Sequence, residues 1–199
     1  PLRIEYLKPI MFSGGIGKVL ESNLDKLPPR AEQVVFRLGG PAYRIGMGGG
    51  SASSRTQDSK NMEQDFQAVQ RGDPLMANKI VKFLRKVLPF KNVITAIHDQ
   101  GSGGMANVTR EICEPLGAEI YLDRVLLGDH TLTSLEKWVA EYQEQVSFLS
   151  SEENLHFLQD IARRENISLV PVGKINRTRN LVVYRNEKDL QKLVNLPTE

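Results

Sequence analysis

Cysteine is nearly missing from this chain: Cys113 is the only one in 199 residues. A lone cysteine excludes an intrachain disulfide and leaves a thiolate metal site without partners, which fits a reducing, cytoplasmic setting. Long apolar runs are missing too, and none approaches the ~20 residues that a membrane span needs, so no membrane partner is expected. An excess of one charge is also lacking, since 26 Lys and Arg against 24 Asp and Glu leave a formal charge of +2. The basic residues do not interleave with aromatics in a stripe, which removes nucleic acid as the principal partner.

What remains is ordinary globular composition, 40% apolar and 25% charged, enough to bury one large core. The chain is read as a single lobe over residues 1–199. Its opening, Pro1 to Leu7, looks like the middle of a strand, and the chain is expected to be an excised piece of a longer polypeptide.

Strands are expected over Val34–Leu38, Val93–Ile97, Ala118–Leu122 and Val146–Leu149, from β-branched and aromatic content. Leu169–Ile175 and Leu181–Tyr184 read as a hairpin pair. Met76, Ile80, Phe83, Leu84 and Val87 recur at helical spacing after Pro74, which predicts an amphipathic helix ended by Pro89. Further helices are expected over Met105–Leu116, Leu132–Ala140 with Trp138 as packing anchor, Ser151–Arg164, and Asp189–Val194 at the end. Val93–Ile97 is nearly all apolar, the pattern of a strand buried on both faces.

Three stretches carry candidate chemistry. Gly39 to Ser54 packs six glycines and three serines into sixteen residues directly after an apolar strand. Such a loop is either a flexible connection or a backbone that something approaches closely, with N–H groups free to cradle an anion. Ser13 to Lys18 imitates a phosphate loop but has Phe12 and Val19 where a glycine and a hydroxyl are needed. Gly46 with Gly48-Gly49-Gly50 imitates a dinucleotide fingerprint without the helix or the ribose-binding acid, so a Rossmann reading fails.

The second stretch is His98-Asp99-Gln100-Gly101-Ser102-Gly103-Gly104 at a strand end. A carboxylate fixed there, beside a helix N-terminus, suits Mg²⁺ on a phosphorylated ligand; the competing reading is that Asp99 caps the helix or ties the loop. His98 reads as a strand-end histidine bonded to backbone. The third stretch, Glu141-Tyr142-Gln143-Glu144-Gln145, joins a helix to a strand as a solvated edge or a ligand-facing turn.

Taken in order, Lys8-Pro9-Ile10-Met11 with Ser13 to Gly17, the Gly39–Ser54 loop, Asp65-Phe66, Val69 to Pro74, Ile97 to Gly104, and Trp138 leading to Glu141-Tyr142-Gln143-Glu144 resemble formylglycinamide ribonucleotide amidotransferase. This family is phosphoribosylformylglycinamidine synthase in its large single-chain form. The resemblance is to the C-terminal lobe of the first of two synthetase halves and implies an α+β fold, a layered α/β sandwich with a mixed sheet, shared with aminoimidazole ribonucleotide synthetase.

The resemblance further implies an ATP-dependent ligase of purine biosynthesis with glutamine as amido donor, activating the formyl amide oxygen by phosphorylation before ammonia displaces phosphate. Its implied cofactors are Mg²⁺ and ATP, the latter bound mainly outside this chain. Its implied partners are a phosphorylated ribonucleotide and the remaining domains of the same enzyme. By motif, Gln70, Glu141, Tyr142 and Gln143 would contact the substrate and Asp99 would bind Mg²⁺. Gly48, Gly49, Gly50, Ser51, Gly101 and Gly103 would offer backbone to phosphate. The family pattern Glu-Ser-Gln-Glu-Arg is altered here, with Tyr142 and Gln145 replacing the serine and arginine. The ATP-binding lobe with its catalytic histidine, the second half and the glutaminase have no counterpart, so the chain alone is expected to be inactive. A non-catalytic lobe that holds a structural nucleotide or serves as a scaffold is the alternative.

Overall fold

The computed structural model describes residues 14–43, 72–101, 103–142 and 144–198. Among the described residues, seven strands form one sheet: β1 Val34–Gly39, β2 Ala96–Asp99, β3 Gly117–Tyr121, β4 Gln145–Ser150, β5 Ser168–Asn176, β6 Asn180–Tyr184 and β7 Lys192–Pro197, in the order β2-β4-β1-β5-β3-β6-β7. All neighbours are antiparallel except β3 and β6. Helices α1 Pro74–Val87 and α4 Leu155–Arg164 cover one face, and α2 Gly104–Cys113 and α3 Ser134–Val139 cover the other. The expected layered sandwich with a mixed sheet is what the chain adopts.

Strand alternation sorts side chains between the two layers. Val34, Phe36 and Leu38 face α1 and α4, where Phe36 stacks on Phe148 at 5.2 Å and Phe83 of α1 lies 6.2 Å from Phe148. Val35 faces α2 and packs with Leu149, Met105 and Ile112. The helix starts follow local chemistry. Asp73 accepts from the Met76 N–H at 3.0 Å with Pro74 in the first turn, and Thr133 and Glu136 cap α3 reciprocally.

Several expectations need correction. β5 and β6 are not a hairpin, because β3 lies between them, antiparallel to β5 and parallel to β6. Gly117 makes the insertion possible: a Cβ there would sit 2.8 Å from Asn180 N. The final segment is strand β7 rather than a helix; Asn186 accepts from the N–H groups of Lys188 and Asp189, Arg185 N–H donates to Gln191 O, and Val194 and Leu196 pair with Val183 and Leu181. β2 starts three residues later than expected and is a sheet edge ending on exposed Asp99, not a strand buried on both faces. Ser151 opens a 3-10 turn, Glu152–Asn154, ahead of α4. Trp138 is buried in the α2-side core as expected.

Candidate functional site

β4 runs antiparallel to both its neighbours, so its first residue lies beside the last residues of β1 and β2. Gly39 pairs with Gln145, and Asp99 pairs with Val146. The exits of β1 and β2 and the entry of β4 therefore meet at one end of the sheet. Backbone bonds fasten the three segments together: Gly40 N–H donates to Glu144 O at 3.2 Å, and Gln100 N–H donates to Gln145 O at 3.0 Å. Gly39 sits at φ +131°, where a Cβ would lie 2.9 Å from Gln145 Cα, so only glycine lets β1 leave the sheet this close to β4.

Asp99 ends β2 with its side chain 79% exposed, Oδ1 3.2 Å from His98 Nδ1. Its Oδ2 lies against Gly101, 3.2 Å from where a Cβ would be. His98 is held on both sides, with Nδ1 2.7 Å from the Asp99 carbonyl oxygen and Nε2 2.7 Å from Glu111 Oε2. The N-cap of α2 is Gly103, in the left-handed region at φ +82°, so the cap position is not filled by Asp99. Gly104 follows at φ +56°, and a Cβ there would collide with Ala140 O. The first turn of α2 thus rests directly on the backbone that leads into Glu141.

Beneath this end lies a buried polar layer. Arg37 projects from the middle of β1 and is 4% exposed. Its Nε donates to Gln145 Oε1 at 2.7 Å, its Nη2 donates to the same oxygen, and its Nη1 lies 3.7 Å from Met105 Sδ. The guanidinium also sits 5.0 Å over the Tyr142 ring. Gln145 Nε2 donates to Gly40 O at 2.7 Å, and the Tyr142 hydroxyl donates to Glu136 O at 2.8 Å. Burial lowers Arg37 to about 10, opposed by Tyr142, and pushes the Tyr142 phenol up to about 12. The Arg37 shift corresponds to roughly 3 kcal/mol against holding this charge in the fold. Gln100 is buried beside it, its Nε2 donating to Ser147 Oγ at 2.6 Å.

Residues 30–186 match the family described as AIR synthase related protein, C-terminal domain. The chain belongs to this family. Among curated proteins it is 49% identical over 176 residues to a probable phosphoribosylformylglycinamidine synthase, chloroplastic/mitochondrial, of Arabidopsis thaliana, covering 87% of the chain and 12% of the relative. It is 45% identical over 184 residues to the Homo sapiens phosphoribosylformylglycinamidine synthase, covering 91% of the chain and 14% of the relative. The chain thus spans about an eighth to a seventh of the length of these relatives. A solved Thermotoga maritima PurL complexed with FGAR superposes with TM-score 0.75 at 23% identity, over 89% of this chain and 29% of that one. PurL complexed with ATP superposes with TM-score 0.70 at 22% identity, over 88% and 26%. These likenesses support the family resemblance read from the motifs, and the solved structures show the shared fold.

Within this AIR synthase related C-terminal domain, the fold brings Asp99, Gly101, Gly103, Glu141 and Tyr142 to the same sheet end. Glu141 and Tyr142 are buried at 6% and 4% exposure. Gln70, Gly48, Gly49, Gly50, Ser51 and Gln143 lie outside the described residues. No group of three or more His, Cys, Asp or Glu able to hold a metal occurs among the described residues. A single exposed carboxylate does fit Mg²⁺ that takes its remaining ligands from phosphate and water. No helix among the described residues is long and apolar enough to cross a membrane. A groove of about 340 Å³ between Arg110, Trp138, Val194 and Leu196 has Gly103 in its lining. Burial and the low-dielectric core raise the Cys113 thiol to about 11, which keeps it protonated and unreactive.

Sequence reasoning passed over Arg37 and took Gln145 only as a departure from a pattern. The signal was present, since an arginine inside Val34–Gly39, a strand buried at all six positions, has to be satisfied by something specific. Where the family pattern carries an arginine, Gln145 receives one from the neighbouring strand instead.

Proposed function

We propose that this chain is the substrate- and Mg²⁺–phosphate-binding lobe of a purine-biosynthesis ligase. The parent enzyme converts formylglycinamide ribonucleotide, glutamine and ATP to formylglycinamidine ribonucleotide, ADP, phosphate and glutamate. The observation that carries this reading is the convergence of the β1 exit, the Asp99–Gly104 loop and the Glu141–Gln145 segment on one sheet end. Identity of 45–49% to phosphoribosylformylglycinamidine synthases supports it.

In this reading Asp99 holds Mg²⁺, and the backbone of Gly101, Gly103 and the Gly48–Ser51 run faces phosphate. Bound Mg²⁺ neutralises phosphate charge. Gln70, Glu141, Tyr142 and Gln143 contact and orient the ribonucleotide, and ATP is held mainly by the rest of the enzyme. Positioning two substrates is the main task of such a lobe, because oriented reactants react far faster than free ones. The chain by itself neither hydrolyses glutamine nor completes the reaction.

Isothermal titration of the chain with formylglycinamide ribonucleotide and with ADP, each with Mg²⁺, tests this. Binding of the ribonucleotide, weakened at least tenfold by Asp99→Asn in the presence of Mg²⁺, is the expected result. Binding of ADP without the ribonucleotide would replace this reading with a structural-nucleotide lobe, and an Asp99→Asn variant with unchanged Mg²⁺ dependence would remove the metal assignment.

A further inference from the structure

Arg37 stands apart from the residues that would meet a ligand, yet it is buried and held by several contacts at this end of the sheet. A guanidinium in a fully buried strand is expensive unless its donors find a specific partner. Its partners include an amide oxygen, a thioether and an aromatic face. A hydrophobic residue would pack the same space without that cost, so the guanidinium must supply something that packing does not. What it supplies is geometry, because a planar fork on one oxygen fixes the partner's direction as well as its distance.

The contacts form one continuous brace. Gln145 Nε2 binds Gly40 O at 2.7 Å, Gln145 Oε1 takes two N–H groups of Arg37, the guanidinium covers the Tyr142 ring, and the Tyr142 hydroxyl ends on Glu136 O in α3. Tyr142 and Gln145 both meet Arg37, which ties the residue after Glu141 to the first residue of β4. The backbone at Glu144 is fixed too, with φ +49° and its carbonyl on Gly40 N–H. The two departures from the family pattern are therefore linked, since both altered side chains meet the same arginine.

We propose that Arg37 is the positioning residue of Glu141 and Tyr142, setting affinity for the ribonucleotide without touching it. This rests on the functional reading above. In the full-length synthase carrying this chain, Arg37→Met keeps an unbranched apolar stem and removes every donor. Two readouts are taken, amide hydrogen exchange across 140–145 and separate KM values for ribonucleotide, glutamine and ATP.

The expected result is at least tenfold faster exchange in that segment and a rise of about tenfold in KM for the ribonucleotide, with the other two KM values within twofold. Arg37→Lys should recover part of both effects, and Gln145→Leu, which attacks the same contact from β4, should reproduce them if Arg37→Met folds poorly. Unchanged exchange, or an equal rise in all three KM values, overturns the proposal. Glu141→Gln in the same assay separates the two levels of argument. If it leaves the ribonucleotide KM unmoved, the functional reading falls and the positioning role falls with it; if it raises that KM while Arg37→Met does not, only the positioning role falls.

Discussion

Gly104→Ala places the whole arrangement under one test. Gly104 sits at φ +56°, where an L side chain costs about 1–2 kcal/mol. The new Cβ would also collide with Ala140 O and lie 3.0 Å from Val139 C, both backbone atoms that cannot swing aside. Forced overpacking of this kind adds about 1–3 kcal/mol. The sum, ~2–5 kcal/mol, corresponds to a drop in Tm of roughly 5–15 °C for a chain of this size. Gly40→Ala serves as the control, because its Cβ would meet only Met76 at 3.7 Å and 3.8 Å, ordinary contacts in a conformation that alanine tolerates. That variant should lie within about 1 kcal/mol of wild type and can be slightly stabilising by restricting the unfolded chain. Urea unfolding followed by Trp138 fluorescence measures both. A Gly104→Ala variant as stable as Gly40→Ala would refute the claim that α2 rests on the 139–140 backbone.

Phe148 is fully buried between Phe36 and Phe83, and Phe148→Ala should cost about 3–5 kcal/mol by calorimetry. Cys113 should give a pH signature. Its folded value near 11 exceeds the ordinary 9.0, so above pH 9 the unfolded chain loses a proton that the folded chain keeps. The stabilisation is complete below pH 9 and is lost as pH rises through 11, to a limit of about 3 kcal/mol. Tyr142, raised to about 12, extends the same slope above pH 10. A Cys113→Val variant should flatten the fall in urea midpoint between pH 9 and 11.

Much of the fold was legible because its signals are local. The α1 periodicity with Asp73 and Pro74, the β1 run and the Trp138 anchor each sit within one segment, and the structure places them as read. The hairpin failed because its two strands look continuous across Asn176 to Asn180, while the strand that separates them lies fifty residues earlier in the chain. Local pattern carries no record of such an insertion. Lys192–Pro197 was misread for the same reason, since its strand character comes from Leu181 and Val183 across the ladder. At the site, the sequence singled out Asp99 and Glu141 as candidates, and the fold brings both to one sheet end. It hid Arg37, whose meaning depends on Gln145 standing opposite, 108 residues away.

The strand order also governs how this domain can assemble. β1, β2 and β3 make no ladder with one another; each waits for β4, β5 or β6. From β2 to β6, strands from the first part of the chain alternate with strands from the second, like the fingers of two hands laced together, and β7 adds to β6 at the edge. Among the described strands, a chain cut between Arg124 and Ser134 would therefore yield a leading piece with no ladder of its own and a trailing piece with only the β6–β7 ladder. Sheet formation requires both halves at once, so it carries the high contact order and steep cooperativity of interlocked topologies. Two such pieces mixed together would have every missing partner supplied by the other, which makes the domain a natural subject for fragment complementation.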